Sequence, residues 1–229
     1  MPLILNIDTA TEFASVCLSN NNNVLMLVSN SEQKNHASFL QPVIKQIFNA
    51  TNISFNQLDA IAVSNGPGSY TGLRVGLSSA KGLCFALNRP LVLLNTLEIM
   101  ANGAIEEYKN QNKNISKTFF CPMIDARRMD VFTALYNSSL QTIIPPNAVT
   151  LNHSFAQAHI QSNTIVFFGS GSSKGVSVVC HANAIFSTYQ HTATAMVTLA
   201  NNKYNKKLFA NLAYCEPFYL KEFYTPAKT

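Results

Sequence analysis

Residues 60–87 leave this chain few architectures. A short apolar run, Ala60-Ile61-Ala62-Val63-Ser64, leads into Asn65-Gly66-Pro67-Gly68-Ser69-Tyr70-Thr71-Gly72, after which Leu73, Leu77, Ala80 and Cys84 recur on one helical face. A buried strand, a glycine-rich turn and a helix make a parallel β/α unit, which needs a sheet covered by helices. The helix also holds Gly72, Gly76 and Gly82, with Ser79 and Ala80. Each interior glycine costs about 1 kcal/mol against alanine, so another element is expected to approach closely. That element is either part of this chain or a partner, and the sequence leaves both open.

The remaining pattern extends the unit in both directions. Strand-like runs at 3–7, 13–19 and 24–28 come first, with Asn20-Asn21-Asn22-Asn23 as a turn. Phe39, Leu40, Val43, Ile44, Ile47 and Phe48 give a helix over 36–48, with Pro42 near its start. After residue 87 come a strand at 91–94 and a helix at 96–109. The order β-β-β-α-β-α-β-α implies a sheet that begins antiparallel and continues parallel. Residues 110–117 turn polar, so the chain is expected to divide into 1–109 and 110–229. The second half again opens with two strands, 118–124 and 131–136. A helix at 155–160, a strand at 164–168, a turn at 169–173 and a helix over 193–213, with a break near Asn201-Asn202, are expected to follow.

Composition narrows the class. The 229 residues are 47% apolar but only 12% charged, about half the usual ~25%. Such a chain folds, because disorder requires low hydrophobicity and high net charge. The net charge of +5 and pI of 9.0 permit nucleic-acid contact without demanding it. The densest basic cluster is Lys203, Lys206 and Lys207. Five cysteines show no C-x-x-C pair and read as buried thiols of a reducing compartment. The start, Met1-Pro2-Leu3-Ile4-Leu5, reads as a strand rather than a signal peptide. No apolar run approaches the ~18 residues of a membrane helix. A cytoplasmic chain without membrane association is expected.

Three segments could carry chemistry. Asp8 and Thr9 stand at a strand end, where they can hold a phosphate or a magnesium-bound water, or simply bond local amides. Gly66 and Gly68 precede a helix whose free amides attract anions. Their spacing is neither a dinucleotide fingerprint nor a Walker A loop. Asp125-Ala126-Arg127-Arg128 at a hairpin tip can bind an anion or a partner carboxylate, or form a solvated turn. With Gly169 and Gly171, these residues define a possible nucleotide or anion cleft: Asp8, Thr9, Gly66, Gly68, Asp125, Arg127, Gly169 and Gly171. No histidine pair has metal-ligand spacing, and no metal site or resident cofactor is expected.

The chain resembles the TsaB (YeaZ) family of tRNA threonylcarbamoyladenosine biosynthesis subunits. The resemblance lies in Ile7-Asp8-Thr9, His36-Ala37-Ser38-Phe39-Leu40, Asn65 through Gly76, Ile124-Asp125-Ala126-Arg127-Arg128 and Pro217-Phe218-Tyr219-Leu220-Lys221. The Gly-Pro-Gly-Ser-Tyr-Thr-Gly-Leu-Arg block is highly specific, whereas 149–213 matches poorly. The resemblance implies an α/β, actin-like (ribonuclease H-like, ASKHA) fold of two related subdomains, each with a mixed five-stranded sheet flanked by helices. It implies a noncatalytic scaffold or activator in forming N6-threonylcarbamoyladenosine at position 37 of tRNAs reading ANN codons. The transferring subunit is the related TsaD, which holds a metal through two histidines. Their places fall on Thr96 and Met100 here, which cannot replace imidazoles.

The resemblance further implies pairing with TsaD through helices 36–48 and 72–87, and recruitment of the ATPase TsaE. It implies a homodimer when TsaD is absent, and contact with tRNA only indirectly through the complex. ATP or ADP would enter at the level of that complex. From spacing, the interface is expected on Phe39, Val43, Leu73, Gly76, Leu77 and Ala80. The alternative is an actin-fold ATPase or small-molecule kinase, with Asp8 and Asp125 as metal-facing carboxylates in the cleft between subdomains.

Overall fold

All six residues of β1 (Leu3–Asp8) are buried, as befits a strand covered on both faces. The computed structural model describes residues 1–30, 36–113 and 115–221. β1 is the middle strand of a sheet with β2 (Ala14–Asn20), β3 (Asn23–Asn30), β4 (Ala60–Gly66) and β5 (Leu91–Asn95), in the order β3-β2-β1-β4-β5. β1–β2 and β2–β3 pair antiparallel, while β1–β4 and β4–β5 pair parallel. The expected order of the first half therefore holds, helices included: α1 (His36–Thr51), α2 (Tyr70–Leu87) and α3 (Thr96–Asn110).

Local chemistry sets the helix ends. The Ser69 hydroxyl accepts the Gly72 N–H at 3.2 Å and starts α2, and Asn88 ends it in a left-handed conformation at φ 51°. The Asn95 side chain accepts from Leu97 and Glu98 N–H and starts α3. Pro42 falls in the second turn of α1 rather than its first.

The second half repeats the first. β6 (Thr118–Asp125), β7 (Asp130–Asn137), β8 (Thr142–Thr150), β9 (Thr164–Phe168) and β10 (Ala184–Phe186) form a sheet in the order β10-β9-β6-β7-β8. β6–β7 and β7–β8 are antiparallel, and β6–β9 and β9–β10 are parallel. This is the order of the first sheet with each strand replaced by its counterpart. α4 (Gln157–Ile160) and α5 (Ser172–Gly175) are single turns, so the helix expected at 155–160 is shorter. β8 was not expected, because Pro145 and Pro146 lie inside it. It is an edge strand, where prolines are tolerated.

α1 and α2 cover one face of the first sheet, and α3 lies between the two sheets. The helix expected over 193–213 is the clearest departure. A 3-10 turn at Ala193–Met196 and α6 (Val197–Asn205) pack on the free face of the first sheet, against Ile4, Cys17 and Val92. Residues 206–221 then form an irregular strap. Its Ala210 N–H bonds the Leu91 carbonyl and its Phe218 N–H bonds the Asn65 carbonyl, while Leu212 and Cys215 pack on the core beneath α1 and α2. Strap carbonyls of Ala213 and Cys215 accept from Lys81 of α2. The polar segment at 110–117 lies between α3 and β6, with Asn114 outside the described residues. The chain after His191 nonetheless returns to the first sheet.

Cys17, Cys84 and Cys121 are buried thiols, each pushed up to about 12 by desolvation. Cys215 is half-buried and Cys180 is exposed, so the expectation of uniformly buried cysteines holds for three of five.

Candidate functional site

The β1–β2 turn and the glycine loop meet at the end of β1. There the chain fills much of the expected cleft with itself. The Ser69 N–H donates to the Ala10 carbonyl at 2.7 Å, and the Thr9 hydroxyl donates to the Gly72 carbonyl at 2.8 Å. A methyl group on Gly68 would strike the Ala10 carbonyl, one on Gly72 the Thr9 carbonyl, and one on Gly76 the Thr9 hydroxyl. Gly66 has φ +120°, and the Phe218 carbonyl stands where its side chain would be. These glycines admit the β1–β2 turn and the strap rather than a phosphate. Thr9 is fully buried.

Asp8 is 1% exposed. Its Oδ1 accepts from the Ser64 hydroxyl at 2.7 Å and the Ala10 N–H at 3.1 Å. Its Oδ2 lies 2.9 Å from His191 Nε2, close but off hydrogen-bond alignment. Burial pushes the Asp8 pKa up, but the His191 contact, the Ser64 hydroxyl and the Ala10 N–H together outweigh it and hold the carboxyl below its ordinary value. Asp125 does not join it. Its Oδ1 pairs with Lys174 at 2.8 Å and accepts the Arg127 N–H at 2.7 Å. Burial raises its pKa, and these two partners lower it further than burial raises it. The two carboxylates expected to face one metal are thus each engaged in separate structures. Among the described residues no cluster of three or more His, Cys, Asp and Glu could hold a metal ion.

A cavity of about 260 Å³ remains between the halves. Thr11, Glu12 and Phe13 line it from the first half and Gly169, Ser170 and Ser172 from the second, with residues 187–191 and Met100 closing it. Of the expected cleft residues only Gly169 lines it. Gly171 packs against Ile124 and Val131, and exposed Arg127 sits on its hairpin tip. His191, Met100 and Tyr189 were missed, since nothing local in the sequence marks them. Met100 occupies one of the two positions where the resemblance places TsaD's metal histidines, and Thr96, the other, is fully buried. Met100 lines the cavity and Thr96 does not, and a thioether with a lone hydroxyl is no equivalent donor set.

The residues expected at an interface lie mostly inside the chain. Leu73, Gly76, Leu77 and Ala80 face the sheet and are buried, as is Val43; Phe39 is half-buried against the same core. The helical periodicity found the core face. The outer face of α2 presents Thr71, Arg74, Ser78, Gly82 and Phe85. Phe85 is 82% exposed, and a side chain added at Gly82 would meet nothing within 4 Å. α1 lies alongside, tied by Gln41 Nε2 to Ser79 Oγ at 3.1 Å.

The family model described as TsaD, tRNA N6-adenosine threonylcarbamoyltransferase, matches residues 24–224. The tRNA threonylcarbamoyladenosine biosynthesis protein TsaB of Buchnera aphidicola subsp. Baizongia pistaciae is 33% identical over 162 residues, 69% of this chain and 70% of that protein. The chain belongs to the TsaD family, in its TsaB branch. TsaB of Bacillus subtilis is 29% identical over 169 residues, 72% of this chain and 70% of its own length. The matched stretches span 51–60% of TsaB from three other bacteria. YeaZ from Pseudomonas aeruginosa superposes with a TM-score of 0.80 at 23% identity, over 96% of this chain and 100% of that one. Component A of the Acidaminococcus fermentans (R)-2-hydroxyglutaryl-CoA dehydratase shares the fold at a TM-score of 0.51 and 9% identity, over 91% of this chain and 100% of its own. The fold is thus actin-like, with two mixed five-stranded sheets flanked by helices. No helix among the described residues is long and apolar enough to cross a membrane.

Proposed function

We propose that this TsaB-branch chain acts in the biosynthesis of tRNA threonylcarbamoyladenosine as a noncatalytic scaffold and activator. It docks a TsaD-type catalytic subunit on the outer face of α1 and α2. The product would be N6-threonylcarbamoyladenosine at position 37 of tRNAs reading ANN codons, and the setting cytoplasmic. A TsaE-type ATPase would join the pair, and a homodimer through the same face would form when the catalytic subunit is absent.

One observation carries the reading: the outer face of α2 pairs exposed Gly82 with exposed Phe85. Gly76 and Gly72 meet the β1–β2 turn of their own chain, whereas the helix-propensity cost of Gly82, about 1 kcal/mol, is met by no contact inside it. A bare helix surface beside an aromatic side chain suits close approach of another helix, with the ring as an anchor. Charge is sparse there, with Arg74 held over the Tyr70 ring at 4.0 Å and bonded to Tyr219.

The test is co-purification with the TsaD-type protein of the same genome, with mass read by light scattering. The parent should form a stable complex. Phe85→Arg should weaken it by about thirtyfold or more, the effect of losing a ~2 kcal/mol anchor, with an unchanged melting temperature. Leu77→Arg is a poor probe, because Leu77 is 4% exposed and the substitution would damage the fold itself. A parent chain that remains alone while hydrolysing ATP would overturn the reading.

The kinase or ATPase alternative makes an opposite forecast. ATP with Mg²⁺ at 1 mM is expected to leave the melting temperature of the chain unchanged. Micromolar binding would stabilise it by roughly 4 kcal/mol, a shift readily seen by scanning fluorimetry.

A further inference from the structure

Nothing in the fold requires the chemistry at the tip of the β6–β7 hairpin. Arg127 and Arg128 both have left-handed backbone, with φ +69° and +46°. Hairpin tips in this region normally carry Asn or Gly, because an L side chain there is strained. Two long cations stand in their place, and both are exposed. The turn is held by its backbone, with Ala126 N–H bonded to the Asp130 carbonyl at 3.0 Å and Asp130 N–H to the Arg127 carbonyl at 2.9 Å. The guanidinium groups contribute to neither bond.

The neighbouring carboxylates do not neutralise them. Asp125 pairs with Lys174, and Asp130 takes Lys221 of the strap and the Thr150 hydroxyl. Lys174 also donates to the Asp130 carbonyl at 3.1 Å. Four cations therefore gather around two carboxylates, and each carboxylate is already held by a lysine. Among the described residues neither arginine has a carboxylate within ion-pair distance. Strain is kept here for side chains that find no carboxylate partner among the described residues, which is how backbone outliers at binding sites behave.

We propose that the Arg127–Arg128 tip contacts the phosphate backbone of RNA. A guanidinium presents paired donors that match two phosphate oxygens, so two adjacent arginines can grip successive phosphates. An exposed tip with no broad apolar surround suits a solvated, densely charged backbone better than the desolvated centre of a protein interface. The net charge of +5 adds attraction of the same sign toward a polyanion. The choice of tRNA as the RNA rests on the function proposed above; the charge argument does not. A direct contact is thereby added to the indirect route that the family resemblance implies.

The experiment is fluorescence anisotropy of the full chain with a labelled anticodon stem-loop RNA, over a salt series. The Arg127→Gly/Arg128→Gly variant removes both cations and fits the left-handed backbone, so its melting temperature should hold or rise. Its Kd should rise about tenfold, and the slope of log affinity against log salt should fall by roughly 1.5 to 2. The Arg127→Lys/Arg128→Lys variant should keep the slope. Unchanged affinity and slope in the glycine variant would overturn the proposal, as would a parent chain that binds no RNA alone or with its catalytic partner. So would loss of the catalytic partner with RNA binding intact, which would assign the tip to a protein surface. Failure of the scaffold reading looks different, because Phe85→Arg then leaves the complex intact while the RNA result stands by itself.

Discussion

Asp8→Ala is expected to lower stability by about 2–4 kcal/mol, the cost of leaving two buried donors without the carboxylate that accepts from them. Two donors lose their acceptor together, the Ser64 hydroxyl and the Ala10 N–H, and the close contact with the His191 imidazole is lost with them. Both donors are fully buried, where an unmatched donor costs far more than at the surface. A domain has roughly 5–15 kcal/mol to lose, so the melting temperature should fall by about 5–15 °C. Asp8→Asn keeps an acceptor for Ser64 and Ala10 and should lose less. The two variants separate the hydrogen bonds from the electrostatic contact with His191. The pH dependence has a definite sign. The fold lowers the pKa of Asp8 from its ordinary 3.8, so it favours the ionised carboxylate. That stability is complete above the unfolded-state pKa and is lost as pH falls through the lower folded value. Urea titrations from pH 6 downward should show the parent weakening below about pH 4, and Asp8→Asn weakening less steeply. A cost below about 1 kcal/mol for Asp8→Ala would show that the contact does not hold β1 to the returning chain.

The doubled architecture was legible because each half announces itself through periodicity. The six buried residues of β1 and the helical spacing of Leu73, Leu77, Ala80 and Cys84 are strong local signals. The departures have physical causes. Pro145 and Pro146 mask β8, since only its place at an edge frees it from the rule against prolines. Leu208, Phe209, Leu212 and Ala213 imitate helical spacing, but the strap lays only Ala210, Leu212 and Cys215 on a core already built and leaves Leu208, Phe209 and Ala213 exposed, and backbone bonds to Leu91 and Asn65 replace helical ones.

The site was less legible. Periodicity identifies the face of α2 that is buried, and it cannot say whether the cover is the chain's own sheet or another protein. Leu73, Gly76, Leu77 and Ala80 went to the sheet, leaving Gly82 and Phe85 outside. Asp8 looked like a metal or phosphate residue because a carboxylate at a strand end has that chemistry. Its partner His191 arrives only after the second sheet is complete, a distance along the chain that no motif spans. The arginines were visible in the sequence, but their left-handed backbone and the absence of a carboxylate partner among the described residues were not.

The glycines of α2 offer a test in which one substitution should act with opposite signs along a single helix. Gly72→Ala is expected to cost about 2–3 kcal/mol, even though alanine is the better helix former by about 1 kcal/mol. The added methyl would enter the Thr9 carbonyl. That carbonyl cannot retreat, because Asp8 on one side is held by Ser64 and His191, and Ala10 on the other accepts the Ser69 N–H. Gly76→Ala should also destabilise, by less, since it meets the Thr9 hydroxyl rather than backbone. Gly82→Ala meets nothing and should stabilise the free chain by up to about 1 kcal/mol. Chemical denaturation of the three variants reads all three signs. If Gly72→Ala also stabilised, the β1–β2 turn would not rest on α2 and the closed state of the expected phosphate loop would be wrong. The same Gly82→Ala chain carries a second reading in the complex. A residue that only stabilises the isolated helix should leave partner affinity unchanged, whereas one that keeps a docking surface bare should weaken it. More stable alone and weaker with its partner is the outcome that would tie the exposed glycine to function rather than to folding.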